Sequence, residues 1–166
     1  MLFYNYNADI RLRFANENDT SLILEFIRAL AEYEQLLDKV IVTEDDIRKT
    51  LFMEKFAEVV ISEYQEKPAG FVLFFHNYST FLGKPGIYIE DLFVKPELRG
   101  KGLGKAMLTF AASLAVERGC PRLEWACLDW NKPSIAFYKK QGAIPLSEWT
   151  TYRVTGKALI DLAKRH

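Results

Sequence analysis

The sequence predicts a mixed α/β domain of the α+β type, in which a twisted sheet of mixed strand direction carries helices on both faces. Three observations carry this expectation. Period-two apolar runs and runs with helical spacing succeed one another in the order βααβββαβαβ(β). The β-branched and aromatic run from Tyr88 to Val94 ends in a glycine-rich turn that opens a helix, and another strand follows that helix; strands joined by such a crossover lie parallel. Finally, 49% of the 166 residues are hydrophobic, with no repeat, low-complexity segment or linker between them, which suits a single core.

Ile10 to Phe14 alternates and reads as the first strand. Asn16 to Asp19 offers helix N-caps, and Leu22, Ile23, Phe26, Ile27 and Leu30 then recur at helical spacing through a helix that ends at Glu32, Tyr33 and Glu34. After a loop from Leu36 to Val42, Thr43 caps a second helix whose first turn carries Glu44, Asp45 and Asp46, acids that complement a helix N-terminus. That helix ends near Met53. Glu58 to Tyr64 and Ala69 to Tyr78 form a hairpin around Gln65 to Pro68. A loop from Ser79 to Gly86 precedes the Tyr88 strand, which stops at Lys95-Pro96 because proline lacks the ladder donor and restricts its predecessor.

The next helix, from about Gly102 to Arg118, buries Leu103, Met107, Phe110, Ala111 and Leu114, with Gly119 as its C-cap. Arg122 to Leu128 reads as a strand, Asn131 caps a short helix through Gln141, and Gly142 ends it. Ala143 to Leu146 and Thr151 to Val154 are the last expected strands, before a terminal helix over about Gly156 to Lys164. The domain is expected over residues 10–166. Residues 1–9 form an N-terminal extension, whose aromatic stretch from Leu2 to Tyr6 either packs on a neighbour or stays disordered.

Composition excludes several classes of function. Twenty-two basic and 22 acidic side chains balance, so no global field favours nucleic acid or a membrane surface. No apolar run reaches membrane-spanning length, and the N-terminus lacks the basic region of a secretory signal. The two cysteines, Cys120 and Cys127, make neither a disulfide framework nor a metal cluster and suit a reducing, cytoplasmic compartment. His76 and His166 lack cluster partners, so no metal is expected.

The strand, turn and helix start from Tyr88 to Lys105 is the chemical signal. Free backbone N–H groups and the positive end of the helix dipole converge at such a turn, and Arg99, Lys101 and Lys105 add charge, so the ligand carries phosphate. Arg99 and Ala106 stand where a P-loop requires glycine and a hydroxyl, and Lys105 stands where a dinucleotide fingerprint requires its third glycine. Arg99-Gly-Lys-Gly-Leu-Gly104, directly after Val94-Lys-Pro96, resembles instead the acetyl-CoA pyrophosphate loop of the GCN5-related N-acetyltransferases (GNAT).

Three further segments narrow the resemblance. Ala31-Glu-Tyr-Glu34, Tyr88-Ile-Glu-Asp-Leu-Phe-Val94 and Trp130-Asn-Lys-Pro-Ser-Ile-Ala-Phe-Tyr-Lys-Lys-Gln-Gly-Ala143 together resemble the diamine (spermidine/spermine) N-acetyltransferase family and its thialysine-acetylating relatives. The resemblance implies a GNAT fold holding its cofactor in a splay between two parallel strands. It implies that Arg99, Gly100, Lys101, Gly102, Leu103, Gly104 and Lys105 hold the pyrophosphate of acetyl-CoA. Leu92, Phe93 and Val94 would present backbone groups to the pantetheine arm, with an N–H near Leu92 supporting the oxyanion. Glu124, Trp125 and Ala126 would line the other wall, and Asn131, Lys132, Pro133 and Ser134 would contact the cofactor. Tyr138 resembles the family's general acid, beside the cofactor, and Glu90 the residue that helps deprotonate the amine. Tyr33 and Glu34 fall where the family contacts the polyamine. The family is typically dimeric, so a homodimer is expected.

The chemistry needs these residue types. A primary ammonium with pKa about 10.4 costs roughly 4.6 kcal/mol to deprotonate at pH 7, and a carboxylate accepts that proton directly or through water. Glu90, at the cleft edge, is the candidate; alternation points Asp91 to the opposite face unless a bulge intervenes. A phenol placed against the sulfur protonates the leaving thiolate. Glu32, Glu34, Glu90, Asp91 and Glu148 are the carboxylates available along an amine groove. The segment from Ile144 to Arg153 is less acidic than in the polyamine enzymes, which brings basic amino acids such as thialysine or lysine analogues forward as acceptors. Protein lysine or N-terminal acetylation ranks lower. A non-catalytic coenzyme A sensor is the alternative class, and it would need neither Glu90 nor Tyr138.

Overall fold

The computed structural model describes residues 3–164. The chain forms two compact units, Met1–Ala126 and Cys127–His166. The first unit holds a six-stranded mixed sheet in simple sequential order: β1 (Phe3–Asn5), β2 (Ile10–Phe14), β3 (Glu58–Tyr64), β4 (Lys67–Ser79), β5 (Lys84–Val94) and β6 (Leu123–Trp125). All neighbours are antiparallel except β5 and β6, which run parallel as the helical crossover requires.

The aromatic N-terminal stretch is an edge strand over Phe3–Asn5, paired with Arg11, Leu12 and Arg13 of β2; Leu2 lies outside the described residues. Between β3 and β4, Gln65 and Glu66 both take positive φ, 48° and 66°. That is the two-residue turn whose twist matches the flanking strands. The turn is therefore tighter than expected, and Pro68 lies in β4 opposite Glu63, beside a register shift. The loop before β5 is also short, because pairing continues to Ser79 and Lys84.

Helices cover both sheet faces. On one, α1 (Thr20–Tyr33) and α2 (Glu44–Ile47, continued by a π-turn over Arg48–Met53) enclose a core of Ile23, Leu24, Phe26, Ile47, Val59, Ile61, Phe71 and Phe93. Phe26 stacks on Phe71 with ring centroids 5.6 Å apart. The α1 face follows directly from its spacing, since Phe26 and Ile27 lie three and four residues after Ile23, and Leu30 lies four and three residues after them. Thr43 and Asp46 make the reciprocal capping box that starts α2. The other face carries α3 (Leu103–Glu117), whose Phe110 packs edge-on against Phe14 at 5.8 Å. Gly119, at φ +68°, stops α3.

One polar network is buried with the core. Arg13, 9% exposed, donates both terminal nitrogens to Asp19 at 2.8 Å and its Nε to Glu63 at 2.9 Å. Arg11 also donates to Glu63, and Asp19 accepts from the Asn16 amide that begins the turn into α1.

The second unit contains α4 (Lys132–Lys140) and α5 (Gly156–Ala163). Asn131 caps α4 by accepting from the Ser134 amide at 3.4 Å, and Gly142, at φ +88°, follows its end. Neither Ala143 to Leu146 nor Thr151 to Val154 is a strand. Within the first stretch Pro145 removes a ladder donor. The second has strand-forming side chains, but among the described residues no strand pairs with it, and a strand exists only through its partner. The strand expected over Arg122 to Leu128 is confined to Leu123–Trp125, the three residues that pair with β5.

Candidate active site

The site is built on β5. Its pairing with β6 covers Ile87, Tyr88 and Ile89 only. Its pairing with β4 shifts register at the same point: Phe74 faces Ile89, but Leu73 faces Asp91. Glu90 is thus the extra residue of a β-bulge, and a bulge bends its strand and sharpens the twist. Beyond Ile89 the parallel strands no longer pair, and Glu90 to Val94 presents an edge of backbone donors and acceptors without a β6 partner. The splay begins where the bulge sits.

The bulge also settles which way the carboxylates point. Cross-strand partners share a face, so Asp91 lies on the face of Leu73, with Phe93 and its partner Phe71 two residues on. That is the face covered by α1. Burial, then the charges of Glu90 and of Glu34 at the end of α1, push the Asp91 carboxyl up to about 6. Burial also raises the Glu34 carboxyl, whereas Glu90 is exposed. Asp91 therefore joins Glu34 and Glu90 rather than facing away. Nothing in Ile89-Glu-Asp-Leu92 marks a bulge, so alternation alone could not place it.

The other end of β5 is cationic. Pro96–Leu98 makes one turn, Arg99 is extended, and Gly100 and Gly102 take φ of 79° and 93°, a backbone open to glycine at little cost. Gly102 caps α3 without a side-chain hydrogen bond, so the first amides of α3 are uncapped from within. Among the described residues no carboxylate lies within salt-bridge distance of Arg99, Lys101 or Lys105. Uncapped amides at a positive dipole end, left-handed glycines and un-neutralised cations form a donor set that fits a diphosphate.

Three cations of this connection rest on aromatic rings. The Arg99 guanidinium lies 4.3 Å from the centre of the Tyr33 ring, Lys101 lies 4.9 Å from that of Tyr64, and Lys95 lies 5.6 Å from that of Phe26. Arg99 also donates its Nε to the Val94 carbonyl at 3.3 Å, and Lys95 pairs with Glu25 at 3.6 Å. These rests are long-range contacts that no local motif announces.

The remaining expected residues divide by unit. Leu92, Phe93 and Val94 follow the bulge, and Glu124, Trp125 and Ala126 close the first unit. The Glu124 side chain accepts from Asn77 at 2.8 Å and pairs with Arg122 at 2.9 Å, which ties the start of β6 to β4. In the second unit Asn131, Lys132, Pro133 and Ser134 form the start of α4, and Tyr138 is half-buried on that helix beside Phe137, ring centroids 5.3 Å apart. Glu148 is exposed in the coil before α5. Among the described residues no group of histidine, cysteine or carboxylate side chains could hold a metal; His166 lies outside them.

Comparison with known proteins agrees with this geometry. Thialysine N-epsilon-acetyltransferase of Bos taurus is 39% identical over 168 residues, covering 94% of this chain and 98% of that protein. An L-ornithine N5-acetyltransferase of Arabidopsis thaliana is 46% identical over 121 residues, which is 73% of this chain and 50% of that protein. Among solved structures, an integron cassette protein from the mobile metagenome of V. cholerae superposes with a TM-score of 0.79 at 26% identity, covering 95% of this chain and 99% of that one. An aminoglycoside acetyltransferase from an uncultured soil metagenomic sample shares the fold, with a TM-score of 0.77 at 18% identity over 92% of this chain and all of that one. The Acetyltransferase (GNAT) family description matches residues 23–143, from the first core residues of α1 to just past α4. This chain is an acetyltransferase and belongs to the GNAT family.

Proposed function

We propose that the chain moves the acetyl group of acetyl-CoA to a primary amine of a small basic molecule, of the thialysine, ornithine or diamine kind. One observation carries the reading: a single strand bears un-neutralised cations at its end and, at its bulge, a carboxyl raised to about 6 between two others. An anionic carrier and a cationic acceptor are thereby served from the same edge. Acetyl-CoA supplies the activated acyl group. The glycine turn binds its diphosphate, and the unpaired edge from Glu90 to Val94 orients the arm.

Glu34 and Glu90 attract the ammonium, and Asp91 accepts its proton. Passing a proton from a group of pKa about 10.4 to an ordinary carboxylate near 3.8 is uphill by about 9 kcal/mol; an acceptor at about 6 lowers this to about 6 kcal/mol. Glu90, the base expected from the strand edge, instead serves as the exposed charge that helps keep Asp91 high. Tyr138 donates a proton to the departing thiolate. A thiolate is a fair leaving group unaided, so Tyr138→Phe is expected to lower kcat by about a hundredfold, the low end for losing a general acid, with little change in acetyl-CoA affinity. Wild-type turnover in that variant removes Tyr138 from the mechanism. The parent reading is tested by thiol release from acetyl-CoA with thialysine, ornithine, lysine, putrescine and spermidine; binding of acetyl-CoA with no release for any amine would favour the sensor class.

The second unit supports a homodimer. Ile144, Leu146, Trp149, Tyr152, Val154, Leu159, Ile160 and Leu162 are each between 47% and 90% exposed. So much apolar surface in one short segment is characteristic of an interface, and a second copy is the simplest cover. Sedimentation should give about twice the chain mass, and Trp149→Glu should shift it toward the monomer. A wild-type chain that sediments as a monomer at micromolar concentration rejects the dimer.

A further inference from the structure

Tyr33 ends α1 one residue before Glu34, and the family resemblance assigns both to the amine. Its ring is otherwise engaged. The Arg99 guanidinium lies over it at 4.3 Å, and the same side chain is tied through Nε to the carbonyl of Val94. A guanidinium that lies face-on to a ring still directs its terminal N–H groups outward in its own plane. The ring and the carbonyl together hold the Arg99 head group, and among the described residues no carboxylate lies within salt-bridge distance to compete for its terminal donors.

We propose that Tyr33 is a positioning residue for the cofactor, its ring holding Arg99 so that the free guanidinium edge meets the diphosphate. This rests on the acetyl-CoA reading above and goes beyond it by moving Tyr33 from the amine to the carrier. Because Tyr33 and Glu34 are adjacent on α1, one helix end then serves both ligands. Neighbouring contacts agree with this role for α1: Lys95, four residues before Arg99, is fastened to the same helix through Phe26 and Glu25. A long, flexible arginine loses rotamer freedom when it grips a phosphate, and a ring that has already ordered it removes part of that cost.

The test is calorimetric titration of the full chain with coenzyme A, alongside steady-state kinetics. Tyr33→Leu should weaken coenzyme A about three- to tenfold and raise KM for acetyl-CoA, with kcat and the amine KM nearly unchanged. Tyr33→Phe keeps the ring and should restore affinity to within about twofold. In an Arg99→Ala background, Tyr33→Leu should add nothing, because the side chain it positions is gone. Circular dichroism and melting temperature establish that each variant is folded. Additive losses in the double variant overturn the proposal. So does a Tyr33→Leu chain that binds coenzyme A normally but shows a raised amine KM. A wild-type chain that fails to bind coenzyme A would instead overturn the acetyl-CoA reading itself.

Discussion

Asp91→Asn is expected to lower kcat/KM for the amine about a thousandfold, the scale of losing a well-placed general base. Wild-type kcat/KM should fall below about pH 6 as Asp91 takes up a proton, and the variant should lose that acid limb. Glu90→Gln separates the two carboxylates. Removing a negative neighbour lets Asp91 ionise more easily, so the limb should move to lower pH while activity above pH 7 largely survives. If Glu90→Gln is the inactive variant and Asp91→Asn keeps its acid limb, the roles are reversed.

The same substitution should stabilise the fold. A carboxyl raised on folding holds its proton more tightly in the native state than in the unfolded one. Native stability therefore falls as pH rises from about 4 to about 6 and stays reduced above that. With a gap of about 2 between the two values, the penalty at neutral pH is up to about 3 kcal/mol. Asp91→Asn should recover part of it as a higher melting temperature at pH 7.5. Activity and stability then move in opposite directions at one residue, as expected where function maintains a buried charge.

The second large effect is structural. Arg13→Ala should destabilise the protein by about 3–5 kcal/mol, because Asp19 is left buried without its partner and Glu63 keeps only Arg11. For a chain of this length that is a drop in melting temperature of roughly 10 °C. The pH response has a definite sign. Burial alone would raise Asp19, but the Arg13 hydrogen bonds and the Asn16 amide outweigh it and hold the carboxyl below its ordinary 3.8. That stabilisation is complete above the ordinary value and is lost as pH falls through the lower native one. Acid titration followed by circular dichroism should show a shallower loss in Arg13→Ala than in wild type. A variant as stable as wild type would show that the network adds nothing.

What could be read from the chain depended on how local each signal is. The helices were legible because Ile23, Phe26 and Ile27, or Leu103, Met107 and Ala111, repeat within a few turns. The glycine turn into α3 was legible because its glycines, cations and helix start share six residues. Which face Asp91 takes stayed conditional in the sequence, because its direction depends on a register shift against Leu73, eighteen positions away. The Arg13–Glu63 and Arg99–Tyr33 contacts are more distant still, and nothing nearby specifies them. Thr151 to Val154 was read as a strand on propensity, yet propensity supplies no partner.

The bulge has a genetic corollary. Remove the single codon for Glu90 and Ile89 would be followed at once by Asp91, the alternation the facing residues Phe74 and Leu73 already match. The inner apolar register would survive, and the extra residue that bends β5 would be gone. One in-frame deletion is therefore expected to keep β4 and β5 paired while removing the bend at the point where the parallel pairing stops, and a one-codon insertion would restore it.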